Sequence, residues 1–172
     1  MSKAVLISIQ PKWCEKIASL RKTVEVRKTQ PKLKTPFKCY IYCTRSKKYR
    51  NLREMDEAFG GGMVIGEFVC DSILDTQLVH ISNTCLSVDE WLKYTDGHKG
   101  RLYGWHISDV MIYDRPKELS EFIKPCENDL YCEICAMYSE FSERCYNAAL
   151  RITRPPQSWC YVEELPGGGP DG

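Results

Sequence analysis

The chain has 172 residues, 43% of them hydrophobic and 27% charged. That length suits one domain, or one domain with an insertion, and the apolar content is enough to bury a sizeable core. No run of about 18 apolar residues occurs, which leaves no helical membrane span, and the alternating start Met1 to Ile9 reads as a first strand rather than an export signal. A cytoplasmic protein is expected, so the ten cysteines read as buried thiols or metal ligands rather than disulfides. The net charge of +1 hides a split: residues 1–53 hold 15 basic and 2 acidic residues, a net +13, and the rest of the chain is net −12. Such asymmetry is the pattern of a basic face that meets a polyanion, or of two halves that neutralise each other.

In chain order, Val5, Ile7 and Ile9 alternate with Leu6 and Ser8, which predicts a strand. Pro11 fits the first turn of a helix, and Trp13, Ile17 and Leu20 carry helical spacing over 11–20. Thr23 to Arg27 is β-branched and alternating, so a second strand puts Glu25 and Arg27 on one face and Val24 and Val26 on the other. Phe37 to Thr44 predicts a third strand, with Cys39, Ile41 and Cys43 opposite Tyr40 and Tyr42. Gly60–Gly62 marks a turn. Residues 63–74 form the next strand, with a bulge expected at Gly66. Ser87 to Glu90 is a capping box that opens a short helix. Strands are expected around Trp105–His106, again at Val110–Tyr113, and finally at Trp159–Val162. Five or six short strands with two helices make a small mixed α+β barrel, occupying 1–165 as a single domain before a flexible glycine-rich tail at 166–172.

The chemistry concentrates at Lys22-x-x-Glu25-x-Arg27. Two cations stabilise a carboxylate between them, Arg27 offers a planar fork for carboxylate or phosphate, and Lys22 is a point charge, base or nucleophile. An ordinary salt-bridge cluster on an exposed strand face is the plain alternative. Nearby, Tyr40, Tyr42 and Tyr49 interleave with Lys38, Arg45, Lys47, Lys48 and Arg50, the mixture a single-stranded nucleic acid requires. Trp13, Tyr103, Trp105 and Trp159 read as core. His106 is the one attractive acid–base candidate by residue type. Cys126, Cys132, Cys135 and Cys145 lie in an acidic insert at 126–145, where the Cys132-x-x-Cys135 pair and two further thiolates suit a structural zinc; a helix over 130–150 with incidental thiols is the plain alternative. No organic cofactor is indicated.

The stretch Ile7 to Ile17 (ISIQPKWCEKI), followed by Lys22-Thr23-Val24-Glu25-Val26-Arg27, resembles the ASCH domain, whose hallmark after the first helix is G-x-K-x-x-E-x-R. Gly66-Glu67-Phe68 and Trp105-His106-Ile107 resemble later strands of that family, and Arg154 to Glu163 resembles the ending of a bacterial and prophage branch. The likeness spans nearly the whole chain except the insert and the last residues. It implies a β-barrel related to PUA domains, with Lys22, Glu25 and Arg27 lining a cleft between barrel and helices. Relatives bind RNA or modified bases, one branch hydrolyses an acylated cytidine, and nuclease activity has been proposed. Two departures stand out. The motif's glycine falls at Leu20, which lacks glycine's easy left-handed geometry. The amidohydrolase branch has threonine where this chain has Glu25, leaving Glu67 as a candidate second carboxylate.

Three readings follow. A binding module would hold RNA, a single strand or a modified nucleoside through Lys22, Glu25, Arg27 and the basic–aromatic residues. An enzyme, either a ribonuclease or a nucleoside amidohydrolase, would use Lys22 and Glu25 with His106. An adaptor would bind protein through the acidic insert. The sequence favours binding and gives no oligomeric state.

Overall fold

The computed structural model describes residues 2–45, 60–75, 81–96, 101–126 and 148–165. Its elements in order are β1 (Lys3–Ile9), α1 (Pro11–Ala18), β2 (Val24–Arg27), β3 (Phe37–Cys43), β4 (Val64–Asp75), α2 (Ile81–Thr84), α3 (Val88–Thr95), β5 (Tyr103–Lys117) and β6 (Trp159–Glu163). The six strands form one curled sheet in the order β2-β5-β4-β3-β1-β6. The expected small α+β barrel is thus present as a curled six-strand half-barrel.

Strand β1 pairs parallel with β3, from Val5 opposite Cys39 to Ile9 opposite Cys43, and antiparallel with β6. Alternation sorts its side chains between two cores. Val5, Ile7 and Ile9 join Cys39, Ile41, Cys43, Phe68, Cys70 and Trp105 on the concave side, which Cys14 and Ile17 of α1 plug. Ala4 and Leu6 join Tyr40, Tyr42, Val64 and Val162 on the convex side, beneath Phe122 and Ile152. Helix α1 starts on Pro11 and turns only this one apolar stripe to the barrel.

The bulge expected at Gly66 is present: the β3–β4 and β4–β5 registers both shift beside it. The reason is space, since a Cβ at Gly66 would lie 2.3 Å from the Met111 carbonyl oxygen. One expectation is corrected. Tyr103 to Tyr113 is not two strands but part of a continuous 15-residue β5. Asp109 takes a left-handed conformation at φ 46 and absorbs the irregularity inside the strand, close to a register shift against β4.

The two edge strands, β2 and β6, do not pair with each other. Side chains join this seam instead. Arg27 Nη2 donates to the Ser8 carbonyl at 2.7 Å, Trp159 Nε1 to Thr29 Oγ1 at 2.9 Å, and the Lys32 amide to the Tyr161 hydroxyl at 2.7 Å. No helix among the described residues is long and apolar enough to cross a membrane. Three of the insert's four cysteines, Cys132, Cys135 and Cys145, lie outside the described residues, as does the tail.

Candidate functional site

The turn after α1 places the first site residue. Arg21 N donates to the Lys16 carbonyl and Leu20 N to that of Ile17, both at 2.9 Å, the paired bonds of a Schellman cap. Leu20 occupies the position that glycine usually fills, at φ 58, with its side chain 68% exposed. The absent glycine therefore does not change the turn; leucine adopts the same left-handed geometry at an energetic cost. The chain then swings Lys22 inward against Glu25 and Arg27, which share one face of β2.

The three side chains form a buried ion triad. Glu25 Oε2 lies 3.2 Å from Lys22 Nζ and Glu25 Oε1 lies 3.0 Å from Arg27 Nη2, with the Lys22 side chain only 2% exposed. The plain alternative, an exposed salt-bridge cluster, is thereby overturned. Lys22 Nζ also donates to the Val24 and Thr84 carbonyls at 2.8 and 2.7 Å. Two carbonyls and the Glu25 ion pair therefore hold its ammonium group in place as a buried strut of the triad. Arg27 Nη1 reaches Ser158 Oγ at 3.4 Å, while its buried Nε–H has no acceptor among the described residues.

Above the triad lies a cleft of about 300 Å³, lined among others by Gln10, Trp13, Thr44, Leu86, Tyr94 and Gln157. It opens where the seam between β2 and β1–β6 is left unpaired, so the topology and the motif mark the same place. Trp13 comes from α1 and is flanked by the ammonium groups of Lys12, Lys16 and Lys22, 4.2 to 5.2 Å from its ring centre. It is a wall of the cleft as well as a partner of the core. Tyr94 comes from α3 and donates to the Val26 carbonyl at 3.2 Å. Burial holds the Tyr94 hydroxyl above its ordinary range, with Arg27 opposing the shift and Glu25 adding to it. Lys28 sits over its ring at 5.3 Å.

Other expected site residues fall elsewhere. Tyr40 is fully buried and Tyr42 nearly so, in the convex core, because Phe122 and Ile152 cover the face that alternation assigns to them. They offer no stacking surface, and the expectation for this pair is corrected. Arg45 is exposed and lies against the turn at Gly62. Lys47, Lys48, Tyr49 and Arg50 lie outside the described residues. Trp105 is core, and His106 points the other way, its Nδ1 2.7 Å from Asp71. It does not line the cleft, so it is not placed to assist Lys22 or Glu25. Glu67 is also remote: it accepts from Tyr113 and pairs with Lys38 at 3.0 Å, in a cluster that Glu164 completes. Among the described residues no three His, Cys, Asp or Glu side chains gather to hold a metal. The residues missed by sequence reasoning are Gln10, Thr44, Leu86, Tyr94 and Gln157, which converge from distant segments. For Tyr94 the one available signal is its place in a helix opened by a capping box.

No protein-family model matches the chain, and no curated protein matches it. Solved structures do. ASCH from Zymomonas mobilis aligns at 20% identity and TM-score 0.59, covering 94% of this chain and 88% of that one. A tyrosine-to-phenylalanine variant of it aligns at 20% identity and TM-score 0.60, over 95% and 92% of the two chains. A serine-to-alanine variant gives 19% and 0.59, over 94% and 89%. The sequence likeness and the structural likeness thus meet on one architecture, and this chain has the fold of the ASCH proteins.

Proposed function

We propose that this is an ASCH-family nucleic-acid-binding protein whose cleft takes one nucleotide unit of a single strand, RNA in preference to DNA. The observation that carries the reading is a cleft walled by two aromatic rings, Trp13 and Tyr94, over a triad with one net positive charge. A planar base suits the walls, because stacking on aromatic rings contributes about 1–3 kcal/mol per base. Phosphate suits the rim instead. Lys22 is held by two carbonyls and Glu25, and Arg27 by Ser8 and Glu25, whereas Lys16 and Lys28 stand beside the aromatic walls with no hydrogen-bond acceptor for either ammonium group among the described residues. The base-inward, phosphate-outward arrangement also suits a modified nucleoside as ligand.

Hydrolysis by Lys22 and Glu25 is the less favoured reading, since the lysine is held by two carbonyls and an ion pair, and His106 is directed away from the cleft. The test is a labelled single-stranded RNA and its DNA counterpart, run on native and denaturing gels with Tyr94→Ala and Lys28→Ala variants. Intact strands, a shift lost at high salt, and binding weakened about tenfold by Tyr94→Ala are expected. Strands shortened by the wild-type protein would replace binding with a nuclease. No shift with RNA, DNA or a modified nucleoside would discard the reading.

A further inference from the structure

The cleft is roofed by an element that holds to the barrel weakly. Helix α2 is pinned: Thr23 N donates to the Asn83 carbonyl at 3.1 Å, Lys22 Nζ to that of Thr84 at 2.7 Å, and Thr84 is fully buried. The next residue, Cys85, takes a left-handed conformation at φ 59. Beyond it the attachment changes character. No residue of α3 is buried, and Val88 and Leu92 are 64% and 59% exposed. Among the described residues, α3 is held by the partial packing of Trp91 and Tyr94 on Val24, Val26 and Leu102, the 3.2 Å bond from the Tyr94 hydroxyl, the Lys28 ammonium over the Tyr94 ring, and one ion pair. That pair joins Lys12 of α1 to Glu90 of α3 at 2.5 Å, between exposed side chains. Yet this loosely held segment carries two lining residues, Leu86 and Tyr94, opposite Trp13 on α1.

We infer that residues 86–96 are a lid over the cleft, pivoting at Cys85 and latched shut by the Lys12–Glu90 ion pair. Lids are drawn from the least stable part of a fold, and hinge residues absorb the backbone change at element ends. The cation of the latch, Lys12, stands 4.2 Å from the ring centre of Trp13, which lines the cleft. An approaching polyanion competes with Glu90 for Lys12, so the ligand itself loosens the lid that admits it. Once seated, a base contacts Tyr94 and draws the lid back. The role of this movement rests on the cleft being the ligand site; the movement itself does not.

Glu90→Gln separates the latch from the helix. Glu90 also closes the capping box, accepting from the Ser87 amide at 3.0 Å, and glutamine preserves that bond while losing the charge. Hydrogen exchange would be followed by mass spectrometry on ligand-free protein, wild type, Glu90→Gln and Lys12→Met. Amides of 86–96 are expected to exchange well ahead of those of β1 and β3. Either variant should speed them a further two- to fivefold, the range of an exposed ion pair, without moving the barrel strands. Added salt should do the same to the wild type and nothing to the variants. Exchange of α3 as slow as the barrel would overturn the lid, and equal acceleration everywhere would reduce the pair to a general stabiliser. Stopped-flow mixing with the labelled RNA adds the functional reading: association and dissociation should both quicken in Glu90→Gln. If the RNA does not bind at all, the proposed ligand fails while the exchange data still decide on the lid. If it binds with unchanged rates, the lid does not gate the cleft.

Discussion

Leu20 sits at φ 58, in the left-handed turn that presents Lys22 to the site. An L-residue there costs about 1–2 kcal/mol relative to its right-handed conformation, and glycine does not incur that cost. Glycine is also freer in the unfolded chain, which takes back about 0.5–1 kcal/mol. The leucine side chain is 68% exposed, so its removal forfeits only a minor part of the roughly 1.5–3 kcal/mol of a fully buried leucine. Comparing Leu20→Gly with Leu20→Ala cancels that packing loss and isolates the backbone term. The glycine variant should exceed the alanine variant by about 1 kcal/mol, or about 2–4 °C in Tm for a chain of this size. Urea denaturation with a common m-value measures the difference. Equal stabilities, or a less stable glycine variant, would refute the claim that the turn is strained and that the motif's glycine is a backbone requirement.

The ion triad sets an order among variants. Glu25→Gln leaves two buried cations without their anion and should cost about 3–5 kcal/mol, whereas Lys22→Met leaves Glu25 its partner in Arg27 and should cost less, as thermal melts would show. Lys12 and the Ser87 amide hold the Glu90 carboxyl down at about 2, from an ordinary 4.5. Its contribution is therefore present above pH 4.5 and lost as pH falls through the lowered value; NMR titration of Glu90 should find it below the ordinary range in wild type and higher in Lys12→Met, where the Ser87 amide still holds it down. Tyr42→Phe should leave RNA affinity unchanged, since the residue faces the convex core, and filter binding checks it. Cys126, Cys132, Cys135 and Cys145 remain the proposed zinc ligands: native mass spectrometry should find one zinc per chain, lost in Cys135→Ser.

How much the sequence disclosed depended on the range of the signal. Alternation in β1 and β3 sorted Val5, Ile7, Cys39 and Ile41 from Leu6, Tyr40 and Tyr42 correctly, because period two is a property of the strand itself. Whether the second face is wet is not. Phe122 and Ile152 cover Tyr40 and Tyr42 from segments about a hundred residues later, and nothing local announces them. The motif placed Lys22, Glu25 and Arg27 together for the same local reason, a helix, a tight turn and one strand face. Tyr94 and Gln157 joined them only through tertiary folding. Asp109 concealed the continuity of β5, since a bulge interrupts the pattern that a reader of strands relies on.

The seam has a consequence for anyone who would retune this protein. Arg27 both lines the cleft and bolts β2 to Ser8 across the open edge of the sheet. In the proposed reading, recognition and architecture share one guanidinium, and a substitution there cannot alter specificity without loosening the wall. On that reading, selectivity is better sought at Gln10, Thr44, Leu86 and Gln157, which border the cleft without being part of the ion triad.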